Sequence, residues 1–227
     1  MMVEDVIYAL EGCLKNLGQQ FKSNRLAYLS LTSKNERELC GLLAHCLQRK
    51  FGLDGGRLVV REWAAEPYLD EDGKIKNPRI DIAVLKGGEP LVMIEAKAAM
   101  SFNLVENWGG MRPRCYPSAE VSKDVEKLKR VAHSSDSYVL TFFTHAHCVP
   151  CEEHREGIPY FDGINKHSPI TEGCLMDGFK RFHEAAECKA QSCLPVVYNG
   201  QIHAGKALHV DVSVYWWLLE VPFDSKE

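Results

Sequence analysis

Hydrophobic and polar positions along the chain follow two periods, and the changes of period divide it into elements. Val6, Ile7, Leu10, Leu14 and Leu17 recur at helical spacing and predict a helix over residues 3–18, packed by one face. Residues 19–32 fit a helix or an extended segment equally. Ser33-Lys34-Asn35-Glu36 has the form of a capping box, in which Glu36 reaches back to a free backbone N–H. The helix it opens runs to about Lys50, with Leu39, Leu42, Leu43, Cys46 and Leu47 on one face. The period then switches to two. Residues 58–65, 79–85 and 91–97 predict strands, with a charged turn over residues 69–73. Residues 118–132 return to helical spacing, burying Val121, Val125, Leu128 and Val131 or Ala132, and residues 137–144 form a short buried strand. Beyond lie a helix marked by Leu175, Phe179, Phe182 and Ala186, and a clean alternation from Leu208 that continues to Leu219. With residues 195–198 that last run makes a hairpin extending the sheet. The pattern predicts an α/β fold, a central mixed β-sheet flanked by helices, in αβββαβ order with a C-terminal β extension. The chain reads as one domain: an N-terminal helical region over residues 1–32, a core over 33–145, and a helix and strands over 146–227.

The chemistry gathers on the middle hairpin. Ile80, Ile82 and Val84 share one face of its first strand, and the second strand is Leu91-Val92-Met93-Ile94-Glu95-Ala96-Lys97. Lys86-Gly87-Gly88-Glu89-Pro90 between them reads as a five-residue loop. Pairing Leu85 with Leu91 sets Ala83 opposite Met93 and Asp81 opposite Glu95, and the two-residue repeat puts Lys97 on the same face. Like charges opposed in a sheet repel, and a hard divalent cation taking oxygen ligands would remove the conflict. A solvated strand end with an incidental salt bridge is the plain alternative. On the preceding helix, Glu36 projects to the side of Leu43 and Leu47, while Glu38 lies off it. A carboxylate on that side is explained by capping or by a place in the site.

Asp81, a hairpin and then Glu95-Ala96-Lys97 at the end of an apolar strand resemble the motif of the PD-(D/E)xK nucleases, the restriction-endonuclease-like superfamily; the proline, Pro78, stands three residues before Asp81. The αβββαβ order over residues 33–145 is the core that this resemblance implies. Glu36-Arg37-Glu38-Leu39-Cys40-Gly41-Leu42-Leu43 looks like the opening of the archaeal Holliday-junction resolvases. The resemblance implies a hydrolase of phosphodiester bonds dependent on Mg²⁺ or Mn²⁺, a DNA endonuclease, with Glu36, Asp81, Glu95 and Lys97 as its catalytic residues. Asp81, Glu95, the backbone carbonyl of Ala96 and Glu36 would hold the metal.

Composition and charge narrow the partners. The 227 residues carry a formal net charge of −4, so any contact with DNA must come from a local basic surface. Trp108, Arg112 and Arg114, in a long glycine- and aromatic-rich segment after Lys97, suit phosphate contact and base stacking, and Lys123 and Lys127 on the following helix are further candidates. Surface packing and a solvated charged face are the alternatives. No apolar run reaches membrane-spanning length. Nine scattered cysteines without a secretory signal read as reduced thiols of a cytoplasmic protein. Cys148-x-x-Cys151 has zinc-knuckle spacing, with His154, His167 or Cys174 as further ligands, against ordinary packed residues as the alternative. Nucleic acid is thus the expected partner and no membrane is; a homodimer is an open arrangement. The rival functions are a nucleic-acid-binding or assembly module on the same fold, without cleavage, and a zinc-stabilised interaction protein.

Overall fold

The computed structural model describes residues 3–21, 24–33, 35–52, 56–70, 72–105, 118–132 and 135–222. Three helices lead the chain: α1 (Val3–Lys15), α2 (Arg25–Thr32) and α3 (Glu36–Phe51). The ambiguous stretch is therefore helical at its end, where Leu26, Ala27 and Leu31 bury one face. Strands β1 (Arg57–Ala64), β4 (Arg79–Lys86), β5 (Glu89–Met100), β6 (Asp136–Ala146), β8 (Val210–Val221) and β7 (Val196–Ala207) make one six-stranded sheet in that spatial order, while β2 (Tyr68–Leu69) and β3 (Ile75–Lys76) pair separately. Only β5 and β6 run parallel, and the crossover that a parallel pair needs carries α4 (Ser118–Val131). The short α5 (Phe161–His167) and the long α6 (Glu172–Ala190) lie between β6 and β7.

Helices cover the sheet on both sides. Leu10, Leu14, Leu31, Leu39, Leu43 and Leu47 of α1–α3 pack with Ile82, Ile94, Leu140, Phe142, Trp216 and Leu218. On the other face Val121, Val125 and Leu128 of α4 and Leu175 and Phe182 of α6 pack with Met93, Val139, Phe143, Trp217 and Leu219. A strand covered on both sides has no solvent face, so β6 is buried without a break from Ser137 to His145, its few polar side chains included. Each fully buried leucine or phenylalanine in these layers stabilises the fold by about 1.5–3 kcal/mol. Among the described residues no helix is long and apolar enough to cross a membrane.

Two local expectations are corrected. The β4–β5 loop is two residues rather than five: Lys86 pairs with Glu89, and Gly87 (φ 63°) and Gly88 (φ 93°) take left-handed backbone that glycine adopts without steric cost. Leu91 is then an extra residue on β5, because Leu85 faces Pro90 while Val84 faces Val92. The shorter turn and the bulge offset each other, so Ala83 still faces Met93. The second correction concerns the capping box. Ser33 closes α2, its hydroxyl donating to the Leu29 carbonyl at 2.8 Å, and Asn35 stands at the start of α3. Glu36 is turned to the sheet instead.

Candidate active site

The β4–β5 ladder stops at Ile82 and Ile94, yet both strands continue. β4 goes on to Arg79 against β1, and β5 goes on to Met100 against β6. The sheet forks here, and β5 beyond the fork lacks β4 as a backbone partner. Two carboxylates cap the β5 amides so released. Asp81 Oδ2 accepts the Ala96 N–H at 2.8 Å, and Glu36 Oε2 accepts the Ala98 N–H at 2.9 Å. A buried N–H without an acceptor costs about 1–3 kcal/mol, so these bonds hold both acids at the strand edge. Glu38 is exposed, as its helical angle predicts.

Glu95 and Lys97 project from β5 toward α4, on the face of Met93. Glu95 is 1% exposed; its Oε2 accepts from Lys127 Nζ at 2.6 Å, whereas Oε1 is buried without a hydrogen bond. Burial first, then the charge of Asp81, push its carboxyl up to about 8 against the pull of Lys127. Lys97 Nζ lies 3.0 Å from Asp124 Oδ2 and donates to the Ala96 carbonyl at 3.1 Å. Burial disfavours its ammonium, but Asp124 foremost, with Glu36 and Asp81, outweighs burial and holds the pKa above the ordinary lysine range. Asp124 is itself buried, which raises its carboxyl to about 6 despite Lys97 and Lys127. Lys127 also donates to the Arg79 carbonyl at 3.1 Å and lies 3.8 Å from Asp124 Oδ1.

The structure thus brings together Glu36, Asp81, Glu95, the Ala96 carbonyl and Lys97, and it adds Asp124, which sequence reasoning missed. The signal was present: Asp124 stands one turn from both Val121 and Leu128, on the apolar face of α4. The lysine nearest Glu95 is Lys127, not Lys97. Lys123 points outward and pairs with Glu120 at 2.7 Å. Trp108, Arg112 and Arg114 lie outside the described residues. His145 and His147 meet hydroxyls, Ser101 Oγ at 3.0 Å and Ser213 Oγ at 2.9 Å, which gives each a polar partner within the fold.

Four carboxylates and two ammonium groups share the fork, a formal charge of two negative when all are ionised. One divalent cation would balance it, and carboxylate and carbonyl oxygens are the donors that Mg²⁺ and Mn²⁺ take. The unbonded Glu95 Oε1 is a donor without a present use, so the residues fit such an ion. Three of these carboxylates do not converge within 4.8 Å of one another; among the described residues that closeness is reached by Glu153, His154 and His209. Cys148 and Cys151 are exposed and stand outside that trio, so the structure groups His154 with other residues than the expected thiols. Comparison of the chain with protein-family models, curated proteins and solved structures returns no match.

Proposed function

We propose that the chain is a metal-dependent nuclease of the restriction-endonuclease-like type, hydrolysing phosphodiester bonds of DNA. The observation that carries this reading is the fork itself. It sets Asp81, Glu95 and the Ala96 carbonyl around one strand edge, with Lys97 beside them and Glu36 anchored one amide further on. Asp81, Glu95 and the carbonyl would hold the ion, with Glu36 serving a second ion or a bound water. When bound, Mg²⁺ or Mn²⁺ would polarise the phosphate and lower the pKa of an attacking water.

The remaining steps belong to the chain. Lys97 stays protonated, because Asp124 holds its charge, and so acts as a fixed positive charge toward a phosphoryl oxygen rather than as a proton acceptor. Asp124 positions that ammonium. Lys127 offsets the charge of Glu95 through Oε2 and leaves Oε1 as the oxygen that would take a cation. With the separate β2–β3 pair set aside, the order αβββαβ over residues 36–146 and the mixed sheet are compatible with this family's core.

The test is incubation of the full chain with plasmid, linear, single-stranded and branched DNA, with Mg²⁺, with Mn²⁺ and with chelator. Metal-dependent cleavage of any of them supports the reading. DNA binding without cleavage in either metal would turn it to an assembly module. Within the same assay Glu36→Gln is expected to lower the rate by about tenfold or more, since a neutral amide keeps the Ala98 bond but loses the charge facing the site. Glu38→Gln should leave the rate unchanged. The reverse order would place Glu38, not Glu36, in the site.

A further inference from the structure

Outside the fork, a second cluster forms where two distant segments meet. After β6 the chain makes a 3₁₀ turn, Glu152–Gly157, that carries Glu153 and His154. Surface contacts flank it: Arg155 bonds Glu152 at 2.5 Å, pairs with Asp162, and stands 4.5 Å over the ring of Phe161. Facing it is the two-residue turn Leu208-His209 between β7 and β8, closed by the pairing of Ala207 with Val210. His209 lies there at φ 64°, left-handed backbone in which histidine is enriched, and its ring stacks on His154 with centroids 5.8 Å apart and planes 19° apart.

One ligand atom from each of Glu153, His154 and His209 falls within 4.8 Å of the other two. His154 Nε2 is shielded from solvent and makes no hydrogen bond; the nearest carboxylate oxygen, Glu153 Oε1, is at 3.4 Å. A shielded imidazole nitrogen without a hydrogen bond is destabilising, and two imidazoles with a carboxylate are a donor set suited to zinc and its neighbours. Oxygen-seeking Mg²⁺ would not select it. We propose that Glu153, His154 and His209 together bind one divalent transition-metal ion of the zinc class, clamping the segment after β6 to the β7–β8 turn. The site is separate from the fork and does not depend on the nuclease reading. Its ligand set differs from the one expected from Cys148-x-x-Cys151; Cys148 Sγ lies 3.9 Å from the His209 carbonyl.

The test is zinc titration of the full chain after chelator treatment, read by calorimetry and by melting. Wild type should bind one equivalent that remains in Glu95→Gln and in Cys148→Ser/Cys151→Ser, and melt about 5 °C or more higher with zinc a hundredfold above its Kd. His154→Ala and His209→Asn, the second chosen because asparagine accepts left-handed backbone, should each weaken binding by about a hundredfold. Each should also lose the zinc-induced shift, whatever its melting temperature without metal. Glu153→Gln should weaken binding less. Cobalt bound in place of zinc should show no thiolate charge-transfer band. Wild type that binds no zinc would overturn the proposal, as would an equivalent lost with the cysteines or with Glu95 but kept in both histidine variants.

Discussion

Lys97→Met is expected to lower metal-dependent cleavage by about a hundredfold to a thousandfold, the loss that follows removal of one fixed charge-stabilising group at a reacting centre. The geometry also predicts a second effect that must be separated from the first. Asp124, 6% exposed, loses the ammonium at 3.0 Å and keeps only Lys127 at 3.8 Å. Breaking one side of a buried ion pair costs about 3–5 kcal/mol, so the single variant should melt lower as well. Lys97→Met/Asp124→Asn removes both charges; it should regain most of the melting temperature and none of the cleavage. A double variant that cleaves as fast as wild type would leave Lys97 a purely structural role.

The site was legible to the extent that local periodicity controls it. Which face of β5 carries Glu95 and Lys97 follows from the two-residue repeat alone, and the side of α3 that carries Glu36 follows from the helical angle. The opposition of Asp81 and Glu95 was reached through a five-residue loop that does not exist. The two-residue turn and the bulge at Leu91 shift the register in opposite senses, which restores the expected pairing as far as Ile82 and Ile94; there the ladder stops, and Asp81 bonds the Ala96 amide. What periodicity cannot supply is which side chain from another element arrives. Lys127 and Asp124 reach the fork because α4 crosses the sheet between β5 and β6, and only the packing of Val121, Val125 and Leu128 sets its position there.

The C-terminal strands show the opposite limit. Residues 195–198 suggested a short strand, yet β7 runs from Val196 to Ala207. It is an edge strand, with irregularities between Val196 and Tyr198 and between His203 and Gly205, and it carries Asn199, Gly200, Gln201, His203 and Lys206. Exposure allows those residues and the bulges break the alternation, so the pattern that marks β8 is missing from its partner. His209 was hidden for a related reason. Placed at the head of the run Leu208 to Val214, it read as a strand residue, whereas it stands in the turn and meets His154 from 55 positions earlier only in the folded chain.

Glu95→Gln is expected to raise the melting temperature in chelator at pH 8.5 by about 4–8 °C and to change it little at pH 5. Glu95 has a folded pKa of about 8 against an ordinary value of 4.5. Between those values the folded protein holds a proton that the unfolded chain has released. Stability therefore falls as pH rises through that window, and is least above pH 8, where the buried carboxylate must be charged. The rise from 4.5 to about 8 corresponds to about 5 kcal/mol, of which roughly half should survive relaxation around the site. Asp124, raised to about 6, adds a smaller slope of the same sign at lower pH. Glutamine keeps an oxygen for Lys127 and removes the charge that burial opposes. A cation binding the ionised Glu95 reverses the penalty, so Mg²⁺ should stabilise wild type increasingly from pH 6 to pH 9, as the proton it displaces becomes easier to remove. Glutamine loses the charged ligand, and the variant should gain little from Mg²⁺ at any pH. The measurement is thermal melting of both proteins across this range, in chelator and in millimolar Mg²⁺. A glutamine variant that melts below wild type at pH 8.5 in chelator would mean that Lys127 already satisfies Glu95, and would remove the electrostatic reason for a metal at the fork.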